Sequence, residues 1–315
     1  MRPELMLPRH PAPKSVGPTV QVGLAVSRST TFILYFIAIF LQAGAYGLTF
    51  MLPRLFDTFG ASEKVVGVML AITAVSTIVT VYFSGHLSDL FGRLRTLGGA
   101  CLAISGALYL YGAVSSVGFA LVMASTLLGF GWGLTYSLLV KPTERVQSFA
   151  LLSVFVMAGF GLSPVLASLL EKFGFSVRDA FFVTSALCIL SAAVFFILHH
   201  PIKNHALNPA PEASSRLTLA SLSQVLKSRA RTPVAMVCIG ASVFAGMNNF
   251  QTVFADDRGL NYATFFLVYT VTVIIFRLVL VKFKGGQNPY MTITILQYLM
   301  CASVVLFIFS GGSFA

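Results

Sequence analysis

Nine apolar runs follow one another along this chain, at about 30–53, 65–84, 96–116, 118–140, 147–169, 180–198, 233–254, 262–281 and 291–310. Each is close to the roughly 20 residues that an α-helix needs to cross the hydrocarbon core of a bilayer. A soluble fold has too little interior to hide them. The chain is 57% hydrophobic and 10% charged, with a mean hydropathy of +0.86, against about 25% charged residues in an ordinary soluble domain. Strands of a membrane barrel would show short alternating runs, and these runs are continuous. The reading is all-α: a polytopic helical membrane protein.

The net charge of +11 raises the question of a nucleic-acid partner, which the distribution of charge answers. With the N-terminus placed in the cytoplasm, 16 of the 21 Lys and Arg fall on the cytoplasmic side, and Arg54, Lys64, Lys172, Arg178 and Arg258 fall on the other. That asymmetry follows the positive-inside rule and sets the expected orientation, with Ala315 outside. It accounts for the basic balance without nucleic acid and implies a multi-pass protein of the cytoplasmic or plasma membrane. Cys101, Cys188, Cys238 and Cys301 all lie inside the runs, where thiols behave as small hydrophobes. No C-x-x-C or His/Cys cluster points to a metal. The first apolar run is too long for a signal peptide and is read as a retained helix.

Composition divides the chain into a cytoplasmic tail (1–29), a six-helix bundle (30–198), a cytoplasmic linker (199–232) and a partial second bundle of three helices (233–315). The linker opens with His199-His200-Pro201, runs through a Pro/Ala/Ser stretch, and ends near Lys227, Arg229 and Arg231. Within it, Leu217, Leu219, Leu222, Val225 and Leu226 are spaced loosely as a short amphipathic helix on the membrane surface.

Between the second and third runs lies Gly85-His86-Leu87-Ser88-Asp89-Leu90-Phe91-Gly92-Arg93-Leu94-Arg95, which reads G-x-L-x-D-x-x-G-R. Gly85 and Gly92 suit positive φ at the two ends of a sharp turn, and Asp89 is placed to pair with Arg93 at the lipid boundary. The pattern resembles the loop between helices two and three of major facilitator superfamily transporters. The resemblance implies that Gly85, Asp89, Gly92 and Arg93 form a conformational latch bracing the first bundle against the second. Leu90 and Leu94 depart from the basic residues usual there. Phe173–Phe182 is similar to the family's approach to helix six, and Phe254–Leu260 to its connection from helix seven to eight. Gly159-x-x-x-Ser163-Pro164 partly matches the G-x-x-x-G-P signature of the family's proton-coupled exporters, and its small residues suit close helix packing. Ser125 stands where many members carry an Arg in the fourth span, and no repeat of the Asp loop is recognisable in Lys282–Gly286. Against the family's twelve helices, the chain reads as truncated after about nine.

Polar stripes mark a candidate cavity. Tyr35, Gln42, Tyr46 and Thr49 share one side of the first run, and Ser125, Gly129, Trp132 and Tyr136 one side of the fourth. Asn248, Asn249, Gln251 and Thr252 cluster in the seventh, which is costly in hydrocarbon unless they face protein or water. From these stripes, Gln42, Tyr46, Trp132, Tyr136, Asn248, Asn249 and Gln251 are the expected cavity residues. No Asp, Glu, Lys, Arg or His falls mid-span, so a neutral or amphipathic solute is favoured over an ionic one. A coupling proton would need Asp89, the acids at the outer span ends, or helices beyond these nine.

Enzyme motifs such as G-x-S-x-G, H-E-x-x-H and a Walker loop are absent from the sequence. The reading is therefore a secondary active transporter working by alternating access, leaning to proton-coupled efflux, without a cofactor. Its partners are the lipid bilayer, a small solute, and either a second copy or a separately encoded remainder. An uptake permease for a sugar or organic acid, and a non-transporting remnant or scaffold, stay open as alternatives.

Overall fold

A computed structural model describes residues 30–139, 146–204, 223–224, 227–228, 231–281 and 289–309. The tail, most of the linker with its amphipathic stretch, and Lys282–Gly286 lie outside the described residues. The helices are α1 (Thr30–Gly47), α2 (Leu52–Asp57), α3 (Glu63–Phe91), α4 (Arg93–Ala113), α5 (Phe119–Leu139), α6 (Val146–Lys172), α7 (Val177–Asn204), α8 (Arg231–Asp257), α9 (Tyr262–Val281) and α10 (Pro289–Phe309). A 3₁₀ turn, Leu48–Met51, joins α1 to α2, so the three pieces make the first span. Eight spans among the described residues are long and apolar enough to cross a membrane. The ninth run forms α10, whose 21 residues rise about 30 Å.

Helix ends follow local chemistry. Ser176 and Asp179 cap the start of α7 reciprocally: the Ser176 N–H and Oγ–H both donate to Asp179 Oδ2 at 2.8 Å, and the Asp179 N–H donates to Ser176 Oγ at 3.3 Å. This is the capping-box arrangement, satisfying N–H groups that the helix leaves orphaned. At its other end α7 runs through Asn204, so the first residues assigned to the linker are helical.

Lipid supplies no hydrophobic drive between helices, so close packing and buried hydroxyl bonds hold the bundle. In the first six spans α3 packs on α5, α4 on α5 and α7, and α1 on α6 and α7. Gly129 brings α5 onto α3 so closely that a Cβ there would lie 2.7 Å from Ser76 Cβ. Ser105 and Ser185 hydroxyls meet at 2.9 Å between α4 and α7, and Ser191 Oγ donates to the Ala38 carbonyl at 2.7 Å between α7 and α1. The remaining helices join this group at one seam. α9 packs along α6, and α8 meets the first span mainly through its later half, Leu48–Asp57. α10 touches α8 where Gln297 Nε2 donates to the Met236 carbonyl at 3.4 Å.

Candidate functional site

The Gly85–Arg95 segment is mostly helix. α3 continues unbroken to Phe91, so Gly85 sits inside a helix and only Gly92 takes a left-handed φ, at 82°. The expected turn with a glycine at each end is thus a single break. His86, Ser88 and Asp89 do not interrupt helical bonding, whereas Gly92 adopts a backbone conformation that other residues avoid. The Gly92 N–H donates to the Ser88 carbonyl at 2.9 Å and its carbonyl accepts from the Thr96 N–H at 3.0 Å.

The expected Asp89–Arg93 pair is not formed. Both ion pairs among the described residues belong to Arg54, and Asp89 is exposed near the end of α3. Arg93 turns the other way, its Nε donating to the Leu138 carbonyl at 2.7 Å. A cation at the C-terminus of α5 satisfies a carbonyl that the helix leaves without a partner. The segment therefore ties α4 to α5 within the first six spans.

The polar stripes of the first and fourth spans meet. Tyr46 stacks on Trp132 with centroids 3.9 Å apart and planes 19° from parallel. Phe160 of α6 tilts against both at 5.5 Å, and Tyr136 lies 6.4 Å beyond Trp132. Beside this group Gln42, 1% exposed, donates through Nε2 to Thr135 Oγ1, while its Oε1 is buried and accepts no hydrogen bond. Tyr136 is 61% exposed, so the aromatic group is open at that side. The rest of each stripe serves packing. Tyr35 packs edge-on against Phe195. Ser125 is fully buried, its hydroxyl 2.8 Å from that of Tyr111 and its carbonyl accepting from Thr73 at 3.1 Å.

On α8, Asn248, Gln251 and Thr252 share a buried face, as i, i+3, i+4 spacing requires. Thr252 Oγ1 donates to the Phe50 carbonyl of the first span at 3.4 Å. Asn248 lies one turn along the same face, with Nδ2 donating to Phe244 at 2.9 Å and Oδ1 buried without a partner. Asn249 points away from that face and donates to the Ala245 carbonyl of its own helix at 2.8 Å. Helical geometry divides this polar cluster.

Gly159, Ser163 and Pro164 lie on α6 between α1 and α9. A Cβ on Gly159 would come within 2.5 Å of the Phe40 carbonyl oxygen, and one on Gly47 within 2.5 Å of the Phe160 carbonyl oxygen. Pro164 has no N–H to offer the Phe160 carbonyl four residues earlier, and α1 crosses at that point. Ser163 Oγ is buried without a partner. On the other face of α6, Gly161 packs against Phe266 and Thr270 of α9.

At the far end of the bundle from Gly92 lies a charged cluster that the sequence reading did not assemble. Arg54 sits 3.5 Å from Glu171 and 3.5 Å from Asp256. The Tyr262 hydroxyl donates to Glu171 Oε2 at 2.9 Å, and the Arg54 guanidinium lies 4.9 Å from the Tyr262 ring centroid. A cavity of about 320 Å³ opens beside them. The signal was available in the parity of the spans: charges ending the first, fifth and seventh runs must emerge on one side. Among the described residues no group of three His, Cys, Asp or Glu could hold a metal ion.

Eight helices long and apolar enough to cross a membrane among the described residues define a multi-pass helical membrane protein. The chain belongs to the Major Facilitator Superfamily, whose family profile matches residues 31–315. The family is one of secondary transporters, not of enzymes. One relative is the Multidrug resistance protein 2 of Bacillus subtilis (strain 168), 25% identical over 239 residues. That match covers 72% of this chain and 58% of the relative, so the chain matches under two thirds of the relative's length.

Proposed function

We propose that the chain exports a flat, neutral or amphipathic solute from the cytoplasm by alternating access, coupled to proton entry. The observation that carries this reading is the Tyr46–Trp132 stack, flanked by Phe160 and Tyr136 and bordered by the buried Gln42 Oε1. Aromatic faces bind flat apolar groups with little geometric selectivity. A buried amide oxygen without a partner costs free energy that a solute N–H or O–H would recover. The charges described in the site lie at span ends, which supports neutral over ionic solutes.

In this proposal Gln42, Tyr46, Trp132 and Tyr136 line the solute path, with Asn248 and Gln251 facing it from the second group of helices. Asn249 supports its own helix instead. Residues 30–198 form one rocking unit and those from 233 the other, joined by a cytoplasmic linker, with the N-terminus also cytoplasmic. Gly161 packs α6 against Phe266 and Thr270 where the units meet, while Gly159, in the Gly159, Ser163 and Pro164 stretch, holds α6 to α1 within the first unit. The carboxylates available to a coupling proton are Glu171 and Asp256 at span ends, with Asp89 exposed at the opposite end. The name of the Bacillus relative supports export over uptake.

The test is flux of a fluorescent planar solute in proteoliposomes containing the 315-residue chain, with a proton gradient of either sign imposed. Efflux driven by inward proton movement, saturable and with a raised half-saturating concentration in Trp132→Ala, is the expected result. Flux in the same direction as proton movement makes the protein an uptake permease. No flux under either gradient refutes transport by this chain.

A further inference from the structure

The amides of Gln42 and Asn248 are each held in one orientation by a partner that only accepts. Thr135 Oγ1 donates its one proton to the Gly131 carbonyl at 2.9 Å. Its oxygen is left to accept, so Gln42 must offer it Nε2. The Phe244 carbonyl likewise only accepts, which gives Asn248 Nδ2 to that 2.9 Å bond. With these bonds in place, turning either amide over would set acceptor against acceptor. The atom left free on each side chain is therefore an oxygen, Gln42 Oε1 and Asn248 Oδ1, buried and without a hydrogen bond. Among the described residues the other buried side-chain atoms without a partner are the hydroxyls of Ser163 and Thr184, which donate or accept as a neighbour requires. Only the amides are committed to one role.

The two oxygens come from the two groups of helices and lie near one level. Thr252 of α8 bonds the Phe50 carbonyl of the first span, and the first and seventh spans run in the same direction. One turn earlier on each lie Tyr46 and Asn248. Gln42 stands one turn beyond Tyr46, about 6 Å along the axis. Both oxygens are thus within about one turn of the Tyr46–Trp132 stack. Aromatic faces admit flat groups of many kinds, but a flat group that brings only acceptors leaves the Gln42 oxygen unpaired.

We propose that this site selects its solute by hydrogen-bond donor. A flat, neutral ring system with an N–H or O–H group, such as a lactam, an anilide or a phenol, is held through Gln42 Oε1. The isostere with oxygen in that place is rejected. Asn248 Oδ1 presents the same chemistry from the second group. Thr135 is a positioning residue, because committing its proton to Gly131 keeps the Gln42 oxygen turned to the solute. This selection rests on the aromatic-site reading and names the chemistry that site takes.

Equilibrium binding to the purified 315-residue chain in nanodiscs tests the selection. The probes are acridone, a fluorescent tricycle with a ring N–H, and xanthone, the same tricycle with oxygen in place of the N–H, read by competition. Acridone should bind at least about tenfold more tightly, the order expected when a buried acceptor is otherwise left unpaired. Gln42→Leu should bring the two probes within about twofold. Thr135→Val, which frees the amide to present either end, should narrow the preference as well, and Thr135→Ser, which keeps the hydroxyl, should retain it. An unchanged preference in Gln42→Leu, or in Thr135→Val where Gln42→Leu does not fold, overturns the proposal. Equal binding of both probes, weakened in Trp132→Ala, overturns donor selection and leaves the aromatic site standing. Binding of neither probe removes the aromatic site and the proposal with it.

Discussion

Gly159→Ala should destabilise the protein, and Gly85→Ala should not, although each adds one methyl group to the middle of a helix. At Gly159 the new Cβ would lie 2.5 Å from Phe40 O, 2.7 Å from Gly44 N and 2.8 Å from Ala43 Cβ. Two of those atoms are backbone, so no side-chain rotation relieves the clash and α1 must move away from α6. Over-packing of this kind costs about 1–3 kcal/mol, partly offset by the roughly 1 kcal/mol that alanine gains over glycine in a helix. The net loss is up to about 2 kcal/mol, a change of up to roughly 30-fold in the folded-to-unfolded ratio. At Gly85 no atom lies within 4 Å of the added Cβ, so only the helix-propensity gain remains. Thermal loss of the monodisperse peak in fluorescence-detected size exclusion, in one detergent, compares the pair directly. Equal stability of Gly159→Ala and the parent would refute the argument that backbone contact at Gly159 holds α1 to α6.

Four further outcomes are expected. Arg93→Ala should cost about 1.5–3 kcal/mol of stability, the worth of a charge-assisted bond to a helix-end carbonyl, while Asp89→Asn should change melting by less than about 0.5 kcal/mol; equal effects would restore the pairing that the structure lacks. Trp132→Ala should raise the half-saturating concentration of a planar solute about 2–10-fold, from the 0.5–1.5 kcal/mol of an aromatic pair, measured by flux in proteoliposomes. Gln42→Leu should leave stability equal or improved by removing a buried unpartnered oxygen, yet lower transport; a destabilised, fully active variant would make Gln42 structural. A cysteine replacing Gly60 or Phe175 should react with impermeant reagent from outside and one replacing Glu212 should not; the reverse pattern would invert the orientation.

Sequence alone determined that this chain is a bundle of membrane helices, because continuous apolar runs of about 20 residues have one solution in lipid. It also marked Gln42, Tyr46, Trp132 and Tyr136, since a polar or aromatic stripe in an apolar helix is visible one residue at a time. Local order was legible in part: Gly92 leaves its helix as a turn glycine does, whereas the Ser176–Asp179 cap emerges only in the structure. Pairings between distant segments were not legible. Asp89 and Arg93 stand four residues apart and look like partners, but the carbonyl at the end of α5 sits nearer the guanidinium and needs a donor. Gly85 resembles Gly92 in the motif, yet only the backbone path at the end of α3 shows which glycine must leave the helix. Asn249 looks equivalent to Asn248 until 100° per residue turns it from the shared face. Arg54, Glu171, Asp256 and Tyr262 belong to four helices separated by up to 208 positions, and no local pattern links them. Tertiary structure alone brings them together, because which helix ends meet depends on how whole helices pack, and that packing is set by small residues and buried hydroxyls spread along the entire chain.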